Sequence, residues 1–124
     1  MNGVLWVVQV LLAVAFIAHG LMFLFPPPDI AVLMNASLPR WFQLFLGVAE
    51  VLAGIGLTLP GATRVYPSMV AWAAAGVMIV MVSATIYHIV RGETAGITFV
   101  LLAMATAVAY LRWRVMPIRP RMLG

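Results

Sequence analysis

A single carboxylate sits in the middle of an apolar run. Glu50 is the one charged residue between Trp41 and Leu59. At bilayer depth an ionisable side chain costs a few kcal/mol unless it is paired, neutralised or wetted, so Glu50 is expected to face a partner helix or a polar cavity rather than lipid. Gln43, Gly47, Glu50 and Gly54 follow one another at spacings of four, three and four, which puts them on one face of a helix. Gly47 and Gly54 read as packing positions, where a second helix can approach closely. An earlier apolar run carries Gln9 and His19. A later one carries Gly76, Ser83 and Tyr87 on one stripe, with Gly76 also a packing position, and His88 at its end.

Depth decides which of these side chains can meet. At 1.5 Å per helical residue, His19 lies about 9 Å from its end of the membrane, Ser83 about 10 Å and Glu50 about 13 Å. Gln43, Tyr87 and His88 are shallower. Together Glu50, His19, Gln43, Ser83, Tyr87 and His88 describe a polar cleft with Glu50 at its floor. A carboxylate and an imidazole in a low-dielectric cleft can hydrogen-bond carbonyl oxygens and move protons. A helix–helix hydrogen bond is the competing reading for His19. Solvation by headgroups is the competing reading for His88. No metal site is expected, because His88 and Glu50 are separated by about 10 Å along the membrane normal and ligands must converge on one ion about 2 Å away.

Four apolar runs, each near the roughly 20 residues that cross a bilayer, must position these groups. They are Val4 to Phe25, Trp41 to Leu59, Val65 to Val90 and Ala95 to Leu111. The expected fold is all-α, an integral membrane four-helix bundle in one domain. Pro26-Pro27-Pro28 ends the first span and Pro60-Gly61 the second. Gly92 is placed for a left-handed cap and Thr94 for the next N-cap. The first span lacks a basic leader and runs into prolines rather than a cleavage site, so it is read as retained. Between spans one and two, Asp29 is expected to cap a short interfacial helix that Asn35 ends, over residues 29–35. The short echo of Ala15, Ile17 and His19 in Ala84, Ile86 and His88 hints at a two-helix repeat.

The chain has 124 residues, 65% hydrophobic and 8% charged. A soluble domain of that size cannot hide so much apolar surface. With no cysteine, thiolate metal sites and thiol redox chemistry by the protein are excluded. All seven basic residues are arginine and the net charge is +4. Arg112, Arg114, Arg119 and Arg121 fall in a basic tail, residues 112–124, expected to contact anionic lipid headgroups rather than nucleic acid. With Arg64 on the same side, against Arg40 and Arg91 on the other, the positive-inside rule places both termini in the cytoplasm.

Three segments carry a family resemblance: AFIAHGLMFLFPP in span one, FQLFLGVAEVLAGIGLTLPG in span two, and SATIYHIVRGE ending span three. With these, the chain resembles the DoxX family over nearly its whole length. The resemblance implies a small four-helix protein of a bacterial inner membrane. The family takes its name from a subunit of a thiosulfate:quinone oxidoreductase, and other members are linked to membrane redox complexes. Glu50 then corresponds to the family's intramembrane carboxylate. The function it favours is a binding or redox-accessory subunit holding a quinone or other lipophilic ligand at Glu50 and His19. A scaffold subunit of a membrane complex, and a small transporter built from several copies, are the alternatives. A homo-oligomer or a membrane partner subunit is expected in each case.

Overall fold

In lipid a backbone amide has no water to turn to, so long apolar segments close their hydrogen bonds within a helix. The computed structural model describes residues 2–120, and Arg121 of the expected tail lies outside them. Its helices are α1 (Asn2–Leu24), α2 (Pro28–Ser37), α3 (Arg40–Thr63), α4 (Met69–Val90) and α5 (Gly96–Tyr110), the last extended by a π-helical turn over Leu111–Val115. No strand occurs among the described residues. Four of the helices are long and apolar enough to cross a membrane, α5 with its π-helical turn counting as one.

The long helices stand as a ring in the order α1, α3, α4, α5. Each packs on its neighbours, α1 most heavily on α3 and α4 on α5, while α1 meets α5 along a thinner seam. Leu5, Leu12, Phe16, Leu57, Val77 and Val108 fill the centre. Outward-facing Val7, Val14, Phe45, Leu52, Ile79 and Phe99 are exposed, as a surface solvated by acyl chains should be. The first described residue, Asn2, and the segment around Arg112 and Arg119 lie at one end of the ring, and α2 lies at the other.

Small residues set the tightest contact. A Cβ on Gly47 would come 2.9 Å from the carbonyl oxygen of Gly20, and one on Gly20 would come 2.7 Å from that of Gly47. A Cβ on Gly54 would come 2.9 Å from the Ala13 carbonyl oxygen. Only glycine lets α1 and α3 approach this closely. Gly76 behaves differently: a Cβ there meets nothing within 4 Å. Gly76 and Ser83 of the expected stripe lie on the exposed outer face of α4, and the inner face is Val70, Ala74, Val77, Met81 and Thr85.

Several expected boundaries move. The α3 helix passes through Pro60 and ends at Arg64, which takes the left-handed conformation with φ 59°. One lost backbone bond near a helix end is tolerated where the alternative is several unpaired groups in lipid. Tyr66 also has positive φ; it precedes a proline, which disfavours the right-handed helical region, so α4 begins at Met69 rather than Val65. Gly92 takes the left-handed conformation with φ 71°, as its position suggested. Thr94 does not cap α5; Ala95 holds that position, and Glu93 and Thr94 form an irregular link between the turn at Gly92 and the helix. At α2 the cap position is Pro27, with Pro28 in the first turn. Proline suits that turn because it has no N–H to leave unpaired. Asp29 therefore lies inside the helix, and Asn35 does not end it.

The basic tail also begins later than expected. The helical path continues to Val115, and Arg112, assigned to the tail by sequence, is only 5% exposed. The π-helical turn closes with the Met116 amide donating to the Leu111 carbonyl at 2.6 Å. Buried threonines tie α4 to α5: Thr85 Oγ1 lies 2.8 Å from Thr98 Oγ1.

Candidate functional site

The close approach of α1 and α3 brings two of the candidate residues together. His19, one residue before Gly20, reaches Glu50, which lies between Gly47 and Gly54. His19 Nδ1 and Glu50 Oε2 share a hydrogen bond of 2.8 Å. The pair is asymmetric in exposure. The His19 side chain is 57% exposed, that of Glu50 only 4%. Glu50 is thus closed off behind the imidazole, and the ring presents its other nitrogen, Nε2, away from the carboxylate. Phe23 meets the His19 ring edge-on at 4.9 Å between centroids and restricts its tilt.

His19 lines a cleft of about 360 Å³ at the α2 end of the bundle. Phe23 completes the α1 wall, Leu33 and Met34 come from α2, and Tyr87 and His88 from the end of α4. The mouth therefore lies between the diagonal helices α1 and α4, with α2 across it. His88 Nδ1 is 3.0 Å from Glu93 Oε2. Arg91 bonds the other oxygen of the same carboxylate and donates to the Tyr87 hydroxyl at 3.1 Å. The Arg91 guanidinium, and after it the His88 ring, hold the Glu93 carboxyl below its ordinary range. This rim group stands apart from the His19–Glu50 pair.

The other candidates fall elsewhere. Ser83 is exposed on the outer face of α4, where its hydroxyl donates to the Ile79 carbonyl at 2.9 Å. A lipid-facing serine finds its acceptor one turn back on its own helix, and Ser83 does not reach Glu50. Gln43 is fully buried but is spent on structure. Its Nε2 donates to Asn35 Oδ1 and to the Leu38 carbonyl, both at 2.9 Å, and its Oε1 accepts from Arg40 at 3.2 Å. Arg40 also donates to the carbonyls of Phe23 and Leu24 at 2.8 and 2.9 Å, closing the C-terminal end of α1. Gln43 and Arg40 thus fasten α2 and its flanks to the bundle, and neither touches the cleft ligand space. Arg40 and Asn35 are the partners of Gln43 that sequence reading missed. Arg40 sits three residues before Gln43, one helical turn away, a spacing that could have linked them. Among the described residues no group of three histidines or carboxylates is placed to hold a metal ion.

Four apolar spans with one acid–imidazole pair between the first two define a small integral membrane helical bundle with an intramembrane polar site. Residues 7–110 match the DoxX-like family, and the chain belongs to that family. Neither the curated proteins nor the solved structures include a match to it.

Proposed function

We propose that this DoxX-like protein binds a lipophilic, carbonyl-bearing ligand of the quinone class in the cleft at His19, as a binding or redox-accessory subunit. One observation carries the reading: an exposed imidazole on the cleft wall is hydrogen-bonded through Nδ1 to a buried carboxylate, 2.8 Å away. A carboxylate behind an imidazole fixes the ring and stabilises its protonated form. In that form Nε2–H donates to a ligand carbonyl. Once neutral, Nε2 accepts from a ligand hydroxyl. The same atom therefore serves both redox states of a quinone, with Glu50 balancing the charge. Phe23, Leu33 and Met34 suit the ring and tail of such a ligand. The electron chemistry belongs to the ligand and to a membrane partner that exchanges electrons with it.

The test is binding of a short-chain ubiquinone analogue to the purified protein, followed by intrinsic tryptophan fluorescence or by thermal stabilisation. The expected result is saturable binding that weakens about 10-fold or more in His19→Ala, the loss of one charge-assisted hydrogen bond. Binding of equal strength in the wild type and His19→Ala would remove the reading.

The arginine distribution further supports an orientation with both termini in the cytoplasm of a bacterial plasma membrane. The chain has no native cysteine, so Gly3→Cys and Pro120→Cys each offer one clean labelling site. Both are expected to resist an impermeant maleimide added outside intact cells and to react after permeabilisation. Reaction of both from outside would invert the orientation.

A further inference from the structure

The end of the bundle opposite the cleft holds a second polar centre, and it is built around a cation. Arg112 comes from the π-helical turn and is 95% buried, given its 5% exposure. Its Nε donates to Gln9 Oε1 at 2.6 Å. Its Nη1 donates to Asn2 Oδ1 at 2.7 Å and to the Met116 carbonyl at 2.9 Å. Gln9, itself fully buried, is held in place by donating through Nε2 to the Leu57 carbonyl at 2.8 Å. All these acceptors are neutral. The remaining nitrogen, Nη2, is buried and has no hydrogen-bond partner among the described residues. The Trp6 ring, 5.4 Å from Cζ, accepts part of the positive charge through its face but does not neutralise it.

No carboxylate of the described residues comes to this end. The chain has three acidic residues. Glu50 is paired with His19, Glu93 with Arg91 and His88, and Asp29 is in the first turn of α2. A buried, unpaired guanidinium is costly, and arginine's fork suits the oxygens of a phosphate. Arg112 also helps line a cavity of about 570 Å³, together with Asn2, Trp6, Arg64, Met116 and Arg119. Two further guanidinium-bearing residues thus stand on its wall. Arg64 is partly engaged, its Nε donating to the Arg119 carbonyl at 2.8 Å. That bond ties the segment after the π-helical turn to the end of α3, and Met116 and Arg119 of that segment line the cavity.

We propose that this cavity is a binding site for a phosphate-bearing anion, with Arg112 as its principal ligand. Nη2, without an acceptor among the described residues, is the donor left over for the anion, and Arg64 and Arg119 stand on the same wall. The site sits at the level of the headgroups on the termini-bearing side, so a phosphodiester headgroup and a free phosphate share the chemistry it recognises. It is independent of the cleft at His19.

The experiment compares thermal unfolding of the full-length protein in a neutral detergent under four additions. These are phosphatidylglycerol, phosphatidylcholine, sodium phosphate, and sodium chloride at matched ionic strength. Native mass spectrometry of the same samples counts retained lipid. Stabilisation and retention by phosphatidylglycerol over phosphatidylcholine identify a lipid headgroup. Stabilisation by phosphate over chloride identifies a small anion. In Arg112→Gln either effect is expected to fall by about 10-fold in apparent affinity, as for a lost charged hydrogen bond. In Arg114→Gln, an exposed neighbour, it is expected to persist. If Arg112→Gln does not fold, the wild-type comparison and Arg112→Lys, which keeps the charge but loses the fork, carry the decision. Affinity must then fall in Arg112→Lys and not in Arg114→Gln. No preference for either anionic addition over its control, or equal loss in Arg112 and Arg114 variants, would overturn the proposal.

Discussion

Gly47→Leu will separate α1 from α3 and lower the stability of the protein far more than the identical change at Gly76. At position 47 even a Cβ lies 2.8 Å from Leu24 Cγ and 2.9 Å from a backbone oxygen. Backbone cannot yield as a flexible side chain can. Overpacking of this kind typically costs about 1–3 kcal/mol and more where helices must part. The hydrogen bond between His19 and Glu50 is made across the same contact, so it is lost as well. At position 76 the added side chain enters open space among exposed residues, where one more leucine meets only lipid or detergent. Thermal unfolding of both variants in one detergent, followed by circular dichroism, decides the matter. Equal melting temperatures would mean that the glycine contact does not hold the helices together.

Glu50 separates a ligand role from a structural one. Glu50→Gln keeps the size and hydrogen-bonding capacity of the side chain but not its charge. Under the function proposed above, it is expected to fold and to bind a quinone analogue about 10-fold more weakly or worse, because the protonated ring of His19 loses its counter-ion. Glu50→Ala removes the partner of Nδ1 and leaves a void beside Gly47 and Gly54, at about 1–3 kcal/mol for an unpartnered polar group. The competing reading, in which the pair simply pins α1 to α3, draws on Glu50 being enclosed at the helix contact and reached from the cleft only through His19. It requires unchanged binding in both variants and lower stability in Glu50→Ala alone. That pattern would remove the ligand role and leave the pin.

What the sequence disclosed followed from rules that act within one helix or at one depth. The lone carboxylate of span two and its flanking glycines were readable because cost in lipid and spacing on a helix face are local properties. The match in depth between His19 and Glu50 followed from counting residues. The face of α4 is hard to read because apolar residues lie on all its sides, so Gly76 and Ser83 stand out by composition while the buried side is mostly Val70, Ala74, Val77 and Met81. Gln43 looked like a cleft residue because polarity and stripe say nothing about which partner takes the bond, and the partner is Asn35 on a separate segment. Arg112 looked like a tail residue because the π-helical turn that carries it inward has no signature in an arginine-rich stretch. Pairing across the bundle, such as Arg112 with Gln9 at a separation of 103 residues, lies beyond any periodicity.

One wall of the cleft is held differently from the rest. The α2 segment buries none of its residues. It is bounded by Pro26-Pro27-Pro28 on one side and Pro39 on the other, and its side-chain tie to the bundle is the amide of Gln43 reaching Asn35. Local opening free energy follows buried contact, which α1 and α3 have and α2 lacks. The backbone amides of α2 therefore sit near the bottom of the protein's ladder of protection against hydrogen exchange, while those of the helices that carry His19 and Glu50 sit near the top. An excursion of α2 would therefore widen the cleft mouth without breaking the bond between His19 and Glu50, which is made between α1 and α3.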